Sequence, residues 1–182
     1  MATTLQGKRV AFLAADGVEE VEYTQPREAV EAAGAAVELV SVQPGEIRAF
    51  NHLDKSRTYP VDVTADKADP DAYDALVLPG GVANPDFLRT DPDAVDFVRS
   101  FFTAGKPVGA ICHAPWTMIE AGVVRGRTLT SWPSLRTDLT NAGATWVDTE
   151  CQADNGLVTS RRPDDLPAFC AKLVEECAEG RR

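Results

Sequence analysis

The chain has 182 residues, of which 44% are hydrophobic, and its 28 Asp and Glu residues against 18 Lys and Arg residues give a formal net charge of −10. This length and apolar content suit the core of one domain, so we predict a single domain over residues 1–182. The acidic balance argues against nucleic acid and anionic membranes as partners, because both bind proteins through clustered Lys and Arg. The sequence lacks the ~20-residue apolar stretch that a membrane span requires, and we expect a cytoplasmic protein.

Four cysteines and two histidines are the residues with the greatest potential for redox or metal chemistry. They are Cys112, Cys151, Cys170, Cys177, His52 and His113. The cysteines include no C-x-x-C pair and are too few for a secreted disulfide scaffold, so we expect reduced thiols. The two histidines do not form a zinc motif, and no phosphate-binding glycine loop is present, so we expect neither a metal nor another cofactor.

The first part of the chain alternates apolar runs with helical patterns. Residues 10–15 (VAFLAA) predict a buried strand, and residues 19–33 predict a helix that Pro26 interrupts. Residues 35–42 predict a second strand. Residues 44–69 lack a clear period and contain scattered Gly, Pro, Thr and Asp, which indicates a hairpin or another excursion from the main sheet.

The middle of the chain adds two strands and the helix between them. A short strand over residues 75–78 (ALVL) ends in Pro-Gly-Gly at 79–81, where the backbone must turn tightly or approach another group closely. The Asp-Pro pair at 91–92 supplies a helix N-cap and a first helical residue. The helix that follows is predicted to bury Val95, Val98 and Phe102. Residues 107–111 (PVGAI) predict the next strand.

The last third continues the alternation. Its predicted elements are a helix over 113–122, a strand over 128–131, a helix over 135–142, a strand over 144–147, a hairpin within 151–161 and an amphipathic helix from Pro163. The last helix is predicted to bury Leu166, Phe169 or Cys170, Leu173 or Val174, and Cys177. Strands that alternate with helices are typical of an α/β fold with a doubly wound, mostly parallel sheet and helices on both faces.

Cys112 is the best candidate for a nucleophile because it directly follows a central strand, where ligands collect in such sheets. Ala110 and Ala114 flank it in a small-x-nucleophile-x-small pattern, which leaves room for a strained strand-to-helix turn. The helix that the turn opens predicts a lowered pKa for the thiol. The alternative is a small buried hydrophobe at a strand end.

Four segments together resemble the ThiJ/PfpI superfamily, and most of all its PfpI-type branch of intracellular peptidases and bacterial stress proteins. They are EEVEYTQP, LVLPGG, GKPVGAICHAPW and SRRPDDLPAF. The resemblance implies a flavodoxin-like sheet, a dimer or higher homo-oligomer, and a reactive cysteine on a nucleophile elbow. Members are described as proteases, deglycases, glyoxalases, chaperones and redox sensors, so the resemblance specifies the site better than the substrate.

The resemblance also assigns roles to residues of this chain. It places the nucleophile on Cys112, the adjacent histidine on His113 and the glutamate that hydrogen-bonds the cysteine on Glu22. Glu19 lies three residues before Glu22, so both carboxyl groups are expected at one crevice. A carboxyl group beside a thiolate has a raised pKa and can donate a hydrogen bond. The alternative for both glutamates is a solvated acidic first turn of a helix.

Gly80 and Gly81 are expected to form the second wall of the site. The backbone N–H groups of Gly81 and His113 are predicted to stabilise an oxyanion, since both follow neighbouring strands. The alternative is a plain tight turn. We do not expect the His113 ring to reach the Cys112 sulfur, because adjacent side chains rarely fold back on each other.

Two further residues complete the candidate site. In the PfpI-type branch an acid from a neighbouring subunit orients the histidine, and the matching position in this chain is Asp86. An ordinary helix cap or loop acid is the alternative for Asp86. Trp132 follows another strand end and is expected at the mouth of the pocket, with a core or interface position as the alternative.

These residues predict nucleophilic catalysis in which the Cys112 thiolate attacks a carbonyl group. A glycated protein or a reactive aldehyde is the favoured substrate, which corresponds to a deglycase or glyoxalase. An intracellular cysteine peptidase is the alternative, and it ranks lower because a strong general base with an orienting acid is not evident within one chain. A non-enzymatic redox sensor or a chaperone is a further alternative, in which Cys112 is oxidised.

Overall fold

The computed structural model describes residues 4–181, in which strands and helices alternate along the chain. The strands are β1 (Arg9–Leu13), β2 (Val18–Glu19), β3 (Ala36–Ser41), β4 (Glu46–Asn51), β5 (Asp54–Pro60), β6 (Val63–Thr64), β7 (Ala75–Leu78), β8 (Val108–Ile111), β9 (Thr128–Leu129), β10 (Thr145–Trp146), β11 (Gln152–Asp154) and β12 (Leu157–Ser160). The helices are α1 (Glu20–Ala32), α2 (Ala83–Leu88), α3 (Pro92–Thr103), α4 (Pro115–Glu120), α5 (Arg136–Asn141) and α6 (Leu166–Glu179).

The largest sheet in the described part of the chain has seven strands, in the spatial order β11-β12-β8-β7-β1-β3-β6. All neighbouring strands are parallel except β11 and β12, which form an antiparallel hairpin at one edge. The mostly parallel sheet and the hairpin within residues 151–161 are therefore confirmed. Because β7 and β8 are buried along their whole length, they are apolar throughout instead of alternating in polarity.

Helices cover both faces of this sheet, as the flavodoxin-like, doubly wound fold requires. Successive side chains of β1 point to opposite faces. Val10 and Phe12 belong to the core on the side of α1 and α6. Ala11 and Leu13 belong to the core on the side of α3, α4 and α5. None of the helices in residues 4–181 has the length and apolar character that a membrane span requires.

Two helices differ in detail from the prediction. α1 continues through Pro26, which is buried in a helix that packs against α6 and β3. This packing compensates for the backbone hydrogen bond that a proline removes. In α3 the fully buried ring is that of Phe101, whereas Phe102 is only partly buried and lies under the Arg127 guanidinium. Val95 and Val98 are buried as predicted.

The structure also decides the alternatives for the last helix. The buried face of α6 contains Phe169 and Leu173, together with Leu166 and Cys177. Cys170 and Val174 are partly buried and pack at the edge of the same core. The four cysteines are all free thiols.

The segment 44–69 contains the predicted hairpin, formed by β4 and β5. β4 also pairs in parallel with β2, which gives a small second sheet of the order β2-β4-β5 in the described residues. Since β2 follows directly after β1, this sheet stands at the carboxyl edge of the central strands. α2, which follows Pro-Gly-Gly at 79–81, was not predicted.

Candidate active site

Cys112 occupies a strained turn between β8 and α4. Its φ of +64° is in the left-handed region, which residues other than glycine rarely adopt. Two hydrogen bonds hold this conformation: the Cys112 N–H donates to the Ser160 carbonyl at 3.0 Å, and the Trp132 N–H donates to the Cys112 carbonyl at 2.9 Å. Only 5% of the residue is exposed. The local geometry is that of a nucleophile elbow.

Gly80 packs so closely against this turn that no side chain fits. A Cβ atom at Gly80 would lie 2.4 Å from Glu22 Oε2 and 2.6 Å from Cys112 Cβ. Gly81 has a φ of +80°, and a Cβ there would lie 2.3 Å from the Gly17 carbonyl oxygen. The two glycines therefore permit the close approach of the 79–81 turn to the thiol.

Glu22 lies in the first turn of α1 and is fully buried. Its Oε2 accepts a hydrogen bond from the Gly80 N–H at 3.0 Å, and its carboxyl group lies beside the Cys112 side chain. Burial, reinforced by the negative charge of Glu19, raises the pKa of Glu22 to about 8. Glu22 is therefore mostly protonated at pH 7 and can donate a hydrogen bond to the sulfur.

The His113 ring reaches the Cys112 sulfur, contrary to the expectation from sequence. His113 Nδ1 lies 3.0 Å from Cys112 Sγ, because the left-handed backbone at Cys112 brings the two side chains together. The imidazole stacks on Trp132, with ring centroids 5.5 Å apart, and contacts Trp116 at 5.2 Å. Burial lowers the pKa of His113 to about 4, so the ring is neutral at pH 7.

The predicted lowering of the Cys112 pKa is wrong. Burial and the charge of an ionised Glu22 raise the pKa of the thiol above its usual range. The backbone N–H groups of Gly81 and His113 point at the sulfur and lower the pKa in part. α4 has only six residues, so its dipole is small. Because Glu22 is mostly protonated at pH 7, its repulsion of a thiolate is largely removed there.

The other predicted site residues differ in how close they lie to the Cys112 thiol. Glu19 is buried at the site, but its carboxylate is occupied by a hydrogen bond of 3.1 Å from the His52 N–H. Trp132 is partly exposed and covers the His113 ring. Asp86 lies on α2 with an exposed side chain and forms an ion pair of 2.6 Å with Arg89. Within the described chain, Asp86 is not among the residues around the thiol.

Sequence reasoning missed Asn84, a fully buried residue that fixes the 79–81 turn. Its Nδ2 donates hydrogen bonds to the carbonyls of Pro79 and Gly80 at 2.9 and 3.0 Å. Its Oδ1 accepts a hydrogen bond of 2.7 Å from the Ala15 N–H, just after β1. Asn84 thus joins the ends of two central strands. The only signal in the sequence was a polar residue before a proline, close to a glycine turn.

A cavity of about 730 Å³ opens above the thiol, between the carboxyl edge of the sheet and the β4–β5 hairpin. It is lined by Asp16, Gly17, Glu19, Glu22, Arg48, Phe50, His52, Leu53, Lys55, Gly81, Val82, Ala83, Phe87, Cys112, His113, Trp132 and Pro163. The hairpin residues in this wall were not predicted. Residues 4–181 contain no group of three His, Cys, Asp or Glu side chains suited to hold a metal ion. The arrangement offers a sulfur nucleophile, an acid, an imidazole and two N–H donors.

Comparison with known proteins gives a consistent result. The sequence profile of the DJ-1/PfpI family matches residues 8–176. A deglycase of Thermococcus kodakarensis is 41% identical to the chain over 167 residues, which cover 92% of this chain and 98% of the relative. Protein/nucleic acid deglycase 2 of Escherichia coli is 44% identical over 163 residues, which cover 89% and 93%. The crystal structure of Drosophila melanogaster DJ-1beta aligns with a TM-score of 0.85 at 28% identity and covers 94% of this chain and 90% of that chain.

Proposed function

Because the chain belongs to the DJ-1/PfpI family, we propose that it is a cysteine-dependent deglycase, which removes the adduct of a reactive aldehyde such as methylglyoxal from a protein side chain. One observation carries the proposal. The Cys112 sulfur is contacted at once by an imidazole nitrogen, a protonated carboxyl group and two backbone N–H groups. This set supports attack of the sulfur on a carbon at the oxidation level of an aldehyde.

In the proposed first step the Cys112 sulfur displaces the amine from the former aldehyde carbon of the adduct, so that a C–S bond forms as the C–N bond breaks. The thiol proton passes to His113 Nδ1, 3.0 Å from the sulfur, and with a pKa of about 4 the imidazolium readily gives a proton to the departing amine nitrogen. This step leaves a free amine and a neutral hemithioacetal. Transfer of the hydrogen of the hemithioacetal carbon to the neighbouring ketone carbon, through an enediolate whose oxygen the N–H groups of Gly81 and His113 stabilise, gives a thioester, and water hydrolyses it to the 2-hydroxy acid and the free thiol.

The overall reaction balances with water as the only co-reactant. A methylglyoxal adduct of an amine and one water give the free amine and a 2-hydroxy acid. The former aldehyde carbon is oxidised to a carboxylate and the neighbouring ketone carbon is reduced to an alcohol. The reaction therefore requires no external oxidant or reductant.

The test is release of N-acetylarginine from its purified methylglyoxal adduct, which forms on the guanidino group, with aminoguanidine present to trap free methylglyoxal. We expect turnover by the wild type, a loss of 100-fold or more in Cys112→Ser, and wild-type turnover in Cys170→Ser, whose thiol is outside the cavity wall. Turnover that disappears when free methylglyoxal is trapped would identify a glyoxalase instead. No turnover, with rapid peroxide oxidation confined to Cys112, would favour the redox sensor.

The peptidase alternative rests on the Cys112–His113 contact. An efficient peptidase also requires a group that orients the imidazole. Among the described residues, the His113 ring contacts the side chains of Cys112, Trp116 and Trp132, and none of these is a carboxylate. This supports deglycation over proteolysis, and a fluorogenic peptide should be hydrolysed at least 100-fold less efficiently than the adduct is deglycated.

We also propose a homodimer or higher homo-oligomer in which Asp86 faces the site of a neighbouring subunit. Exposed apolar side chains at Leu53, Val82 and Phe87 surround the cavity mouth, and such a patch supports an interface. Light scattering tests the assembly. An Asp86→Asn variant that keeps both the assembly and wild-type turnover would remove Asp86 from the site.

Two further expectations concern the partners of the protein and its location in the cell. The name of the E. coli relative includes nucleic acid, so adducts on nucleotides should be tested beside protein adducts, and the exclusion of nucleic acid by net charge stays a prediction. The four free thiols support the proposal of a cytoplasmic protein, since that compartment keeps thiols reduced. Fractionation of cells that produce the protein tests the location.

A further inference from the structure

The cavity wall contributed by the β4–β5 hairpin carries positive charge on a strongly acidic protein. The cavity is lined by one arginine, Arg48 on β4, and one lysine, Lys55 on β5. Lys55 pairs across the hairpin with Phe50, which also lines the cavity. The hairpin thus presents two cations and an aromatic ring to the space above the thiol.

The acids and the cations of this cavity differ in their bonding. Asp16 Oδ1 accepts a hydrogen bond of 2.7 Å from the Arg48 N–H, and Glu19 accepts one of 3.1 Å from the His52 N–H. Arg48 and Lys55, in contrast, form no ion pair among residues 4–181. Arg48 Nη1 donates to the Ser56 carbonyl at 2.8 Å, which positions the guanidinium and leaves its other N–H groups for a ligand.

We propose that Arg48 and Lys55 bind an anionic group, a carboxylate or a phosphate, on the molecule that carries the adduct, and so select anionic substrates. This inference rests on the proposed deglycase function for the nature of the substrate. The net charge of −10 repels anions in general, so a local pair of cations is needed to bring one into this cavity. Phe50 and Trp132 offer apolar contacts to the uncharged part of the substrate.

The first test does not depend on deglycase activity. Iodoacetate and iodoacetamide have nearly the same shape and alkylate Cys112 by the same displacement of iodide, but only iodoacetate is anionic. We compare their rates in the wild type, in an Arg48→Gln/Lys55→Gln double variant and in Arg57→Gln. Arg57 is an exposed cation of the same hairpin that lies outside the cavity wall.

We expect the iodoacetate rate of the double variant to fall about threefold or more at low salt, while its iodoacetamide rate stays the same. In Arg57→Gln both rates should stay close to those of the wild type. An unchanged ratio of the two rates in the double variant would overturn the inference. So would an equal fall in Arg57→Gln, since net charge would then be the cause, or an equal fall of both rates, since the thiol itself would then have changed.

The second test identifies the anion. Methylglyoxal adducts of N-acetylarginine and of its amide differ by a carboxylate, and adducts of guanosine 5′-phosphate and guanosine differ by a phosphate. We expect the wild type to prefer the anionic member of at least one pair through a lower KM, and the double variant to lose that preference. Turnover of all adducts without a preference for the anionic members would overturn the inference and leave the deglycase function intact. No turnover of any adduct would refute the deglycase function. The ratio of the iodoacetate and iodoacetamide rates would still test the anion site in that case.

Discussion

The turn after β8 and the β4–β5 hairpin face the same cavity but are built in opposite ways. At the turn, the backbone of Cys112 is fixed by bonds to Ser160 and Trp132, and the neighbouring Gly80 leaves no space for a side chain. The hairpin is exposed, with Leu53 at its tip 93% exposed. Its two cavity cations have no ion-pair partner in the described residues.

Under the two proposals above, the turn carries out the reaction and the hairpin selects the substrate. Bond formation requires groups held to within a fraction of an ångström, and only a buried, fully bonded turn provides that. An exposed hairpin, in contrast, can change its side chains without disturbing the core, which suits a surface proposed to select among molecules that carry the adduct. We therefore expect substitutions in the turn to affect stability and thiol reactivity together, and substitutions of Arg48 and Lys55 to affect selectivity alone.

Gly80→Ala should break the turn most severely. The new Cβ atom would lie 2.4–2.7 Å from Glu22 Oε2, Cys112 Cβ and the Ile111 carbonyl oxygen. We expect a loss of about 3 kcal/mol or more in the free energy of unfolding and a loss of Cys112 alkylation, measured by urea denaturation and by iodoacetamide labelling. Gly45→Ala, before β4, meets no atom within 4 Å and should cost about 1 kcal/mol for its φ of +99°. Similar losses in the two variants would contradict the crowding argument.

Glu22→Gln should change how stability depends on pH. Between pH 4.5, the ordinary pKa, and pH 8, the pKa of Glu22 in the fold, the folded protein holds a proton that the unfolded chain has released. The free energy of unfolding of the wild type therefore falls as the pH rises through this window, at up to ~1.4 kcal/mol per pH unit. The amide that replaces the carboxyl group cannot titrate, so the stability of the variant relative to the wild type should rise by roughly 3 kcal/mol between pH 5 and pH 8.5. A difference that is constant over this range would show that the fold does not raise the pKa of Glu22.

Asn84→Ala should loosen the turn without a steric clash. The substitution leaves the Pro79 carbonyl and the Ala15 N–H without their partner and removes one of two hydrogen bonds to the Gly80 carbonyl. We expect a loss of about 2–3 kcal/mol in the free energy of unfolding and slower alkylation of Cys112, because the Gly81 N–H is no longer held at the sulfur. Asn141→Ala, at an exposed position at the end of α5, should change stability by no more than about 0.5 kcal/mol. Normal alkylation in a destabilised Asn84→Ala would reduce its role to stability alone.

Glu20→Ala should have the smallest effect and should be confined to the hairpin. Glu20 accepts hydrogen bonds from Ser56 Oγ and from Tyr59 OH, at 2.5 and 2.7 Å, and so ties β5 to the start of α1. We expect a loss of about 1 kcal/mol and faster amide hydrogen exchange in β5 than in the wild type, with exchange in β8 unchanged. Glu46→Ala, an exposed substitution at the start of β4, is the matched control. Faster exchange in β8 as well would mean that the hairpin and the central sheet are not separate units.

Much of the fold was predictable because its signals are local. The apolar runs of β1, β7 and β8 lie within one or two residues of their predicted bounds, and the Asp-Pro start of α3 is at its predicted place. α2 was missed, since six residues with the sequence ANPDFL carry no clear helical period. The continuation of α1 through Pro26 was missed because packing overrides the local preference of proline.

The candidate site was predictable only in part. Cys112, Gly80 and Glu22 were identified because a nucleophile elbow, a glycine pair and an acidic first turn leave recognisable patterns, strengthened by the family resemblance. Asn84 and the two cations of the hairpin leave no such pattern. The contact between Cys112 and His113 was missed because it depends on the backbone conformation at one residue.

The sequence by itself determined the alternation of strands and helices, the position of the candidate nucleophile and the acidity that repels anions in general. Each follows from the spacing of neighbouring residues or from a sum over the chain. Only the tertiary structure decided the proton balance of the site, since Glu22 and Gly80 are 58 residues apart and burial raises the pKa values of both Glu22 and Cys112. It also placed Arg48 and Lys55 beside the thiol, because solvent exclusion and through-space distance between remote segments arise only when the chain has folded.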